Sequence, residues 1–190
     1  MYNWGMMVEG YFARHGETDW NKLKRIQGQT DVPLSAEGIR QAEELARQVI
    51  GSGISVIHSS PLLRAIETSR IVSAYFKIPI ISNNGLNERS YGDFEGKLFD
   101  EVNADLKKHN TTLKLSSPKG GESYSNFTER VLVTFNEIVQ RHKDGKILLV
   151  CHGGVLEVLT RHLSKTEDKD GDNDDIGYAF ANASIRAFLV

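Results

Sequence analysis

Short apolar runs alternate along the chain with longer stretches whose apolar residues recur every three or four positions, which predicts an α/β layered domain. Tyr11-Phe12-Ala13 reads as the end of a first strand that stops at Arg14-His15-Gly16. Ser35 is placed to cap a helix with Ile39, Ala42, Ala46 and Val49 on one face and Gly51 at its end. Ile54-Ser55-Val56-Ile57 is the next strand, and Ser60-Pro61 offers an N-cap and a first-turn proline to a helix reaching about Phe76. A short strand at 78–81 follows, and residues 96–121 lean polar and read as irregular or weakly helical. Ser123 caps a long helix with Phe127, Val131, Phe135 and Ile138 on one face. Lys146-Ile147-Leu148-Leu149-Val150 is a buried strand, Gly153-Gly154 open a helix over 155–163, and 184–190 is a last strand. The expected fold is a three-layer α/β/α sandwich: a mostly parallel central sheet, helices on both faces, and a small cap segment over the C-terminal strand ends. No repeat or linker divides the chain, so 1–190 is expected to be one domain with a cap-like insertion at about 96–122.

Composition narrows the function classes. The 190 residues suit one domain, and at 39% hydrophobic and 25% charged they are ordinary for a soluble globular protein. A formal charge of −2 leaves no electrostatic footprint for nucleic acid or an anionic membrane, so an anionic ligand needs a local cluster of cations. Cys151 is the only cysteine, residues 1–9 carry no secretory pattern, and no apolar run approaches the roughly 20 residues of a membrane helix. The expectation is a cytoplasmic enzyme. The Asn-x-Ser/Thr matches at Asn110, Asn126 and Asn182 carry no weight in such a chain.

Two strands end in a histidine followed by glycine, Arg14-His15-Gly16 and Cys151-His152-Gly153-Gly154. Ligands of open α/β sheets bind at the carboxyl ends of strands, where such residues expose side chains beside free N–H groups. A lone strand-terminal histidine is more often structural; a pair, one beside an arginine, points to chemistry. These residues resemble a known family. Arg14-His15-Gly16-Glu17-Thr18 is similar to the signature of the histidine phosphatase superfamily, phosphoglycerate mutase-like branch. Four further blocks resemble it in order: Asn21 through Ile26-Gln27-Gly28; Ser59-Ser60-Pro61-Leu62-Leu63-Arg64-Ala65; Leu86-Asn87-Glu88-Arg89 with Tyr91-Gly92-Asp93-Phe94-Glu95-Gly96; and Val150-Cys151-His152-Gly153-Gly154. Glu9 and Gly10 depart from it by interrupting a first strand that is usually solidly apolar.

The resemblance implies a role for each residue. His15 would attack phosphorus as a neutral imidazole, its other ring nitrogen donating to a backbone carbonyl, with Gly16 allowing the tight turn. Arg14 and Arg64 would bind the non-bridging oxygens, His152 would add a third cationic contact, and Asn21 would complete the phosphate pocket. Glu88 would protonate the leaving oxygen and then activate water. Gln27, Gly28 and Gly153 are secondary pocket candidates. No metal motif is present, and neither a metal nor another cofactor is expected. His58 reads as structural, His109, His142 and His162 as solvated, and Cys151 as a buried strand residue.

Three functions remain open. The first is a metal-independent phosphatase for small phosphate monoesters, working through a phosphohistidine on His15. The second is a phosphoglycerate mutase, and the third an inert binding protein of the same fold. The mutase is disfavoured because residues 96–121 contain no arginine to clamp a substrate carboxylate, only lysines 97, 107, 108, 114 and 119. The inert protein is disfavoured because Arg14, His15, Arg64, Glu88 and His152 are all present. The expected partner is a small-molecule phosphate ester, anionic or sugar-like, with a homodimer compatible with the family. The acidic stretch 167–175 resembles part of a calcium loop but has Asn173 where glycine is expected, so a solvated loop is expected instead.

Overall fold

A computed structural model describes residues 8–142, 145–164 and 180–190. The acidic stretch 167–175 lies outside them. The strands are β1 (Glu9–Arg14), β2 (Ile54–Ser59), β3 (Ile80–Ser82), β4 (Lys146–Cys151) and β5 (Ile185–Leu189). They form one sheet in the order β3-β2-β4-β1-β5. The first four pair in parallel and β5 runs antiparallel against β1, so the sheet is mostly parallel with an antiparallel edge.

Alternation along the strands sorts two cores. Phe12, Val56, Ile147, Leu149 and Cys151 face α5 (Tyr124–Arg141) and α6 (Gly153–Ser164). Ala13, Ile57, Leu148 and Val150 face α2 (Ala36–Gln48) and α3 (Leu63–Phe76). The expected stripe of α5 is fully realised, with Phe127, Val131 and Phe135 at 0% exposure and Ile138 at 1%. Phe135 meets Phe12 and Phe188 at ring-centroid distances of 5.9 and 5.6 Å, so its loss should cost about 3–5 kcal/mol. Gly10, an interruption in the sequence, is required here: a Cβ would lie 2.5 Å from the Phe188 ring and 2.7 Å from the Ile147 carbonyl. Its neighbour Glu9 accepts an ion pair from Lys146 at 2.8 Å.

Three expectations are corrected. Ile39 is 45% exposed, because Leu45 joins Gly38, Ala42 and Ala46 and swings the buried face of α2 away from it. The Ser60-Pro61 start is displaced: α3 begins at Leu63, and its first N–H is capped by Asp31 Oδ1 rather than by Ser60. Residues 96–121 contain a ten-residue helix, α4 (Phe99–Lys108), whose Phe99, Val102 and Leu106 pack with Ile26, Tyr91 and Leu113 in a third cluster. A four-residue helix, α1 (Asp19–Lys22), follows β1. Among the described residues no helix is long and apolar enough to cross a membrane.

Candidate active site

The sheet order brings the chemistry together. β2, β4 and β1 are adjacent, and at their carboxyl ends Ser60 N donates to the Val150 carbonyl and His15 N to that of Cys151. Ser60, His152 and His15 therefore sit side by side. The rings of His15 and His152 are 5.1 Å apart, tilted by 55°.

His15 is 2% exposed, and its Nδ1 lies 2.7 Å from the Gly16 carbonyl. A carbonyl only accepts, so Nδ1 carries the proton and Nε2 has the free lone pair. Burial, reinforced by Arg64 and Arg14, holds the imidazole well below its ordinary pKa and hence neutral. Gly16 serves close packing here: a Cβ would fall 2.4 Å from the Gly38 carbonyl.

Arg64 is fully buried and donates from Nη1 to the Thr30 carbonyl at 3.0 Å and from Nη2 to that of Gly28 at 2.7 Å. Burial lowers its pKa to about 10, against the pull of Glu88, so it stays a cation at neutral pH. The turn supplying those carbonyls is held by Glu95, whose carboxylate accepts from Gln29 N, Thr30 N, Thr30 Oγ1 and Tyr91 N. Arg14 donates to the Phe180 carbonyl.

Asn21 is oriented by a capping box. Its Oδ1 accepts from Thr18 N at 3.1 Å, Thr18 Oγ1 at 3.0 Å and Asn182 Nδ2 at 3.4 Å, leaving its amide N–H groups to the cleft. Asn182 also donates to the His15 carbonyl at 3.2 Å. The residue that entered as a glycosylation match thus supports two site residues.

Glu88 lines the cleft and its carboxylate is tethered at both oxygens: Oε1 accepts from Arg89 N at 2.9 Å and Oε2 from Gly154 N at 3.0 Å. The loop that carries it is held by Arg130, which donates to the Gly85 and Asn87 carbonyls and pairs with Glu122 through Nε and Nη2. Arg89, fully buried, donates to the carbonyls of Glu122, Leu113, Lys114 and Ser116 and so fastens the covering segment to the same loop.

Arg14, His15, Asn21, Arg64 and Glu88 converge on one cleft, with Gln27 and Gly28 in its wall. His152 and Gly153 lie one layer beneath: both are buried and neither lines the cleft, and Gly154 makes the contact to Glu88. The rest of the wall is Arg25, Ile26, Tyr91, Phe99 and Leu113. Lysines 97, 107, 108, 114 and 119 of the covering segment are not among the residues that line the cleft. Arg25 is committed to the Gly96 carbonyl at 2.6 Å. Among the described residues no group of three or more His, Cys, Asp or Glu could hold a metal ion.

His109 and His162 are exposed as expected, but His142 is not solvated in the simple sense. Its Nε2 lies 2.7 Å from that of the buried His58.

The arrangement sets cationic and amide donors around a bare ring nitrogen, which suits a tetrahedral oxyanion, and the chain is similar to known proteins. The family profile of the histidine phosphatase superfamily (branch 1) matches residues 11–188. The uncharacterized phosphatase PhoE of Bacillus subtilis is 34% identical over 152 residues, covering 80% of this chain and 75% of that one. A phosphoglycerate mutase structure from Bacillus anthracis superposes with a TM-score of 0.84 at 25% identity, over 98% of this chain and 89% of the other. A mycobacterial glucosyl-3-phosphoglycerate phosphatase, solved with VO3, gives a TM-score of 0.79 at 27% identity, over 95% and 92%. Fold, ordered blocks and profile agree: the chain belongs to branch 1 of the histidine phosphatase superfamily.

Proposed function

We propose that this phosphoryl-transfer enzyme is a phosphatase of small phosphate monoesters that needs no metal ion and works through a phosphohistidine on His15. The observation that carries the reading is the His15 Nδ1–Gly16 carbonyl contact of 2.7 Å, which aims a bare Nε2 beside Arg14 and Arg64. Nε2 attacks phosphorus as the P–O ester bond breaks, and Glu88 gives its proton to the departing oxygen. The two arginines bind the non-bridging oxygens as charge spreads over them. Water then attacks the phosphohistidine while Glu88 takes its proton back, and inorganic phosphate leaves with Nε2 restored.

Hydrolysis is favoured over mutase transfer because the wall beyond the phosphate end is Ile26, Tyr91, Phe99 and Leu113 with a single arginine, Arg25. Its Nη1 is bonded to the Gly96 carbonyl, so no pair of arginines faces the rest of the substrate. Similarity to the phosphatase PhoE and to the mycobacterial glucosyl-3-phosphoglycerate phosphatase supports the same choice. The test is hydrolysis of p-nitrophenyl phosphate in EDTA by wild type and His15→Ala, followed by a panel of esters. Activity that survives EDTA and disappears in the variant is expected. Transfer between phosphoglycerates without ester hydrolysis would reverse the choice in favour of the mutase.

A further inference from the structure

Ser60 has no part in the steps above, yet its hydroxyl is fully buried and every hydrogen-bonding capacity it has is in use. Its proton goes to Asn87 Oδ1 at 2.8 Å, and its lone pairs face Leu62 N at 3.3 Å and His152 Nε2 at 2.9 Å. A hydroxyl has one proton; once Asn87 takes it, His152 Nε2 must be a donor. The other ring nitrogen, Nδ1, is buried without a hydrogen-bond partner. Such orphaned groups are rare in folded proteins and ask for an explanation.

The surroundings supply one. Arg14 at the end of β1, Arg64 in α3 and Arg130 in α5 all press positive charge on this ring, and the neutral His15 lies against it. Glu88, bound two residues along at Gly154 N, is the neighbouring carboxylate. With the cleft empty, burial and those cations keep His152 neutral. A dianion between Arg14 and Arg64 cancels much of that repulsion, and Nδ1 is where a proton then binds.

We propose that Ser60, braced by Asn87, is a positioning residue for His152: it holds the Nε2–H tautomer so that a tetrahedral dianion enters the cleft together with one proton, taken from solvent at Nδ1. The inference rests on the reading of this cleft as the phosphoryl site. Asn87 immediately precedes Glu88, so one brace fixes both the second histidine and the segment bearing the carboxylate.

Sulfate is the probe, because it carries two charges and no exchangeable proton near neutral pH. Calorimetry in buffers of different ionisation enthalpy is expected to show uptake of about one proton per sulfate bound. Ring ¹⁵N shifts of His152 should report Nε2–H in the free protein and a doubly protonated ring with sulfate. Ser60→Ala should weaken sulfate about tenfold, and Ser60→Thr, which keeps the hydroxyl, should restore it. Binding without proton uptake, a free protein with the proton on Nδ1, no sulfate binding, or full affinity in Ser60→Ala would each overturn the proposal. If Ser60→Ala does not fold, the wild-type proton count and tautomer decide alone. A wild type that hydrolyses p-nitrophenyl phosphate in a His15-dependent way yet binds sulfate without a proton sinks this inference and leaves the phosphatase reading intact.

Discussion

Glu88 Oε2 accepts the backbone N–H of Gly154 at 3.0 Å, so the carboxylate hangs on the first turn of the helix that follows the second histidine. A Cβ at position 154 would stand 2.4 Å from Glu88 Oε1. Gly154→Ala should therefore displace the carboxylate while leaving the fold intact. Turnover of an alkyl phosphate, whose leaving oxygen needs a proton, should fall about 10²-fold. Turnover of p-nitrophenyl phosphate should fall much less, and the melting temperature should hardly move. Glu88→Gln should give the same pattern, and equal losses on both substrates would refute the acid role.

Glu95 holds the 28–30 turn and, through Tyr91 N, a second part of the cleft wall. Glu95→Ala removes the acceptor for Gln29 N and Thr30 N, and with it the support for the two carbonyls on which Arg64 rests. Steady-state kinetics should show KM for p-nitrophenyl phosphate raised about tenfold, with a smaller change in Glu95→Gln, which keeps one acceptor oxygen.

Arg89 satisfies four carbonyls with one buried guanidinium. Arg89→Ala should cost at least about 3 kcal/mol in urea unfolding, because several acceptors lose their donors together. Hydrogen exchange should accelerate first over residues 113–122, before the strands respond.

The His58–His142 contact should make stability depend on pH. Asn83 Nδ2 donates to the Ile81 carbonyl and so also to His58 Nδ1, which leaves the Nε2 proton of His58 for His142. Burial, then His142 and Arg141, lower the His58 pKa from 6.5 to about 4. A group with a lowered folded pKa stabilises fully above its unfolded value, so this contribution is lost as pH falls from about 6.5 towards 4. Urea midpoints across that interval should fall more steeply in wild type than in His58→Gln; parallel slopes would remove the pair from the account.

The periodic elements were legible because one physical requirement, burial of one face, fixes them. Phe127, Val131, Phe135 and Ile138 needed nothing beyond their spacing. Helix α4 was not legible, since it opens at Leu98 with no side-chain cap and exposes most of its length. Among site residues, Arg14, His15, Asn21, Arg64 and Glu88 were readable from ordered blocks, and they meet at the cleft. Ser60 sat inside such a block yet looked like a helix cap, because the Ser-Pro pattern is local while its partners Asn87 and His152 are 27 and 92 positions away. The local signal at Asn182, a glycosylation match, said nothing of its contact with the His15 carbonyl across 167 positions.

That last distance has a consequence for biosynthesis. Arg14 is fixed by the Phe180 carbonyl, and the His15 carbonyl by the Ala183 N–H and Asn182. A nascent chain that has emerged as far as residue 164 already carries both histidines, both arginines and Glu88. Its Cys151 carbonyl and Thr68 hydroxyl can hold the turn at His15 and Gly16, but the contacts from Phe180, Asn182 and Ala183 are still missing. Contacts of such long range form late, whatever folds first. The turn that carries His15 and the cation beside it are therefore completed only when residues 180–189 join the sheet, which makes the site the last part of the fold to be finished during synthesis.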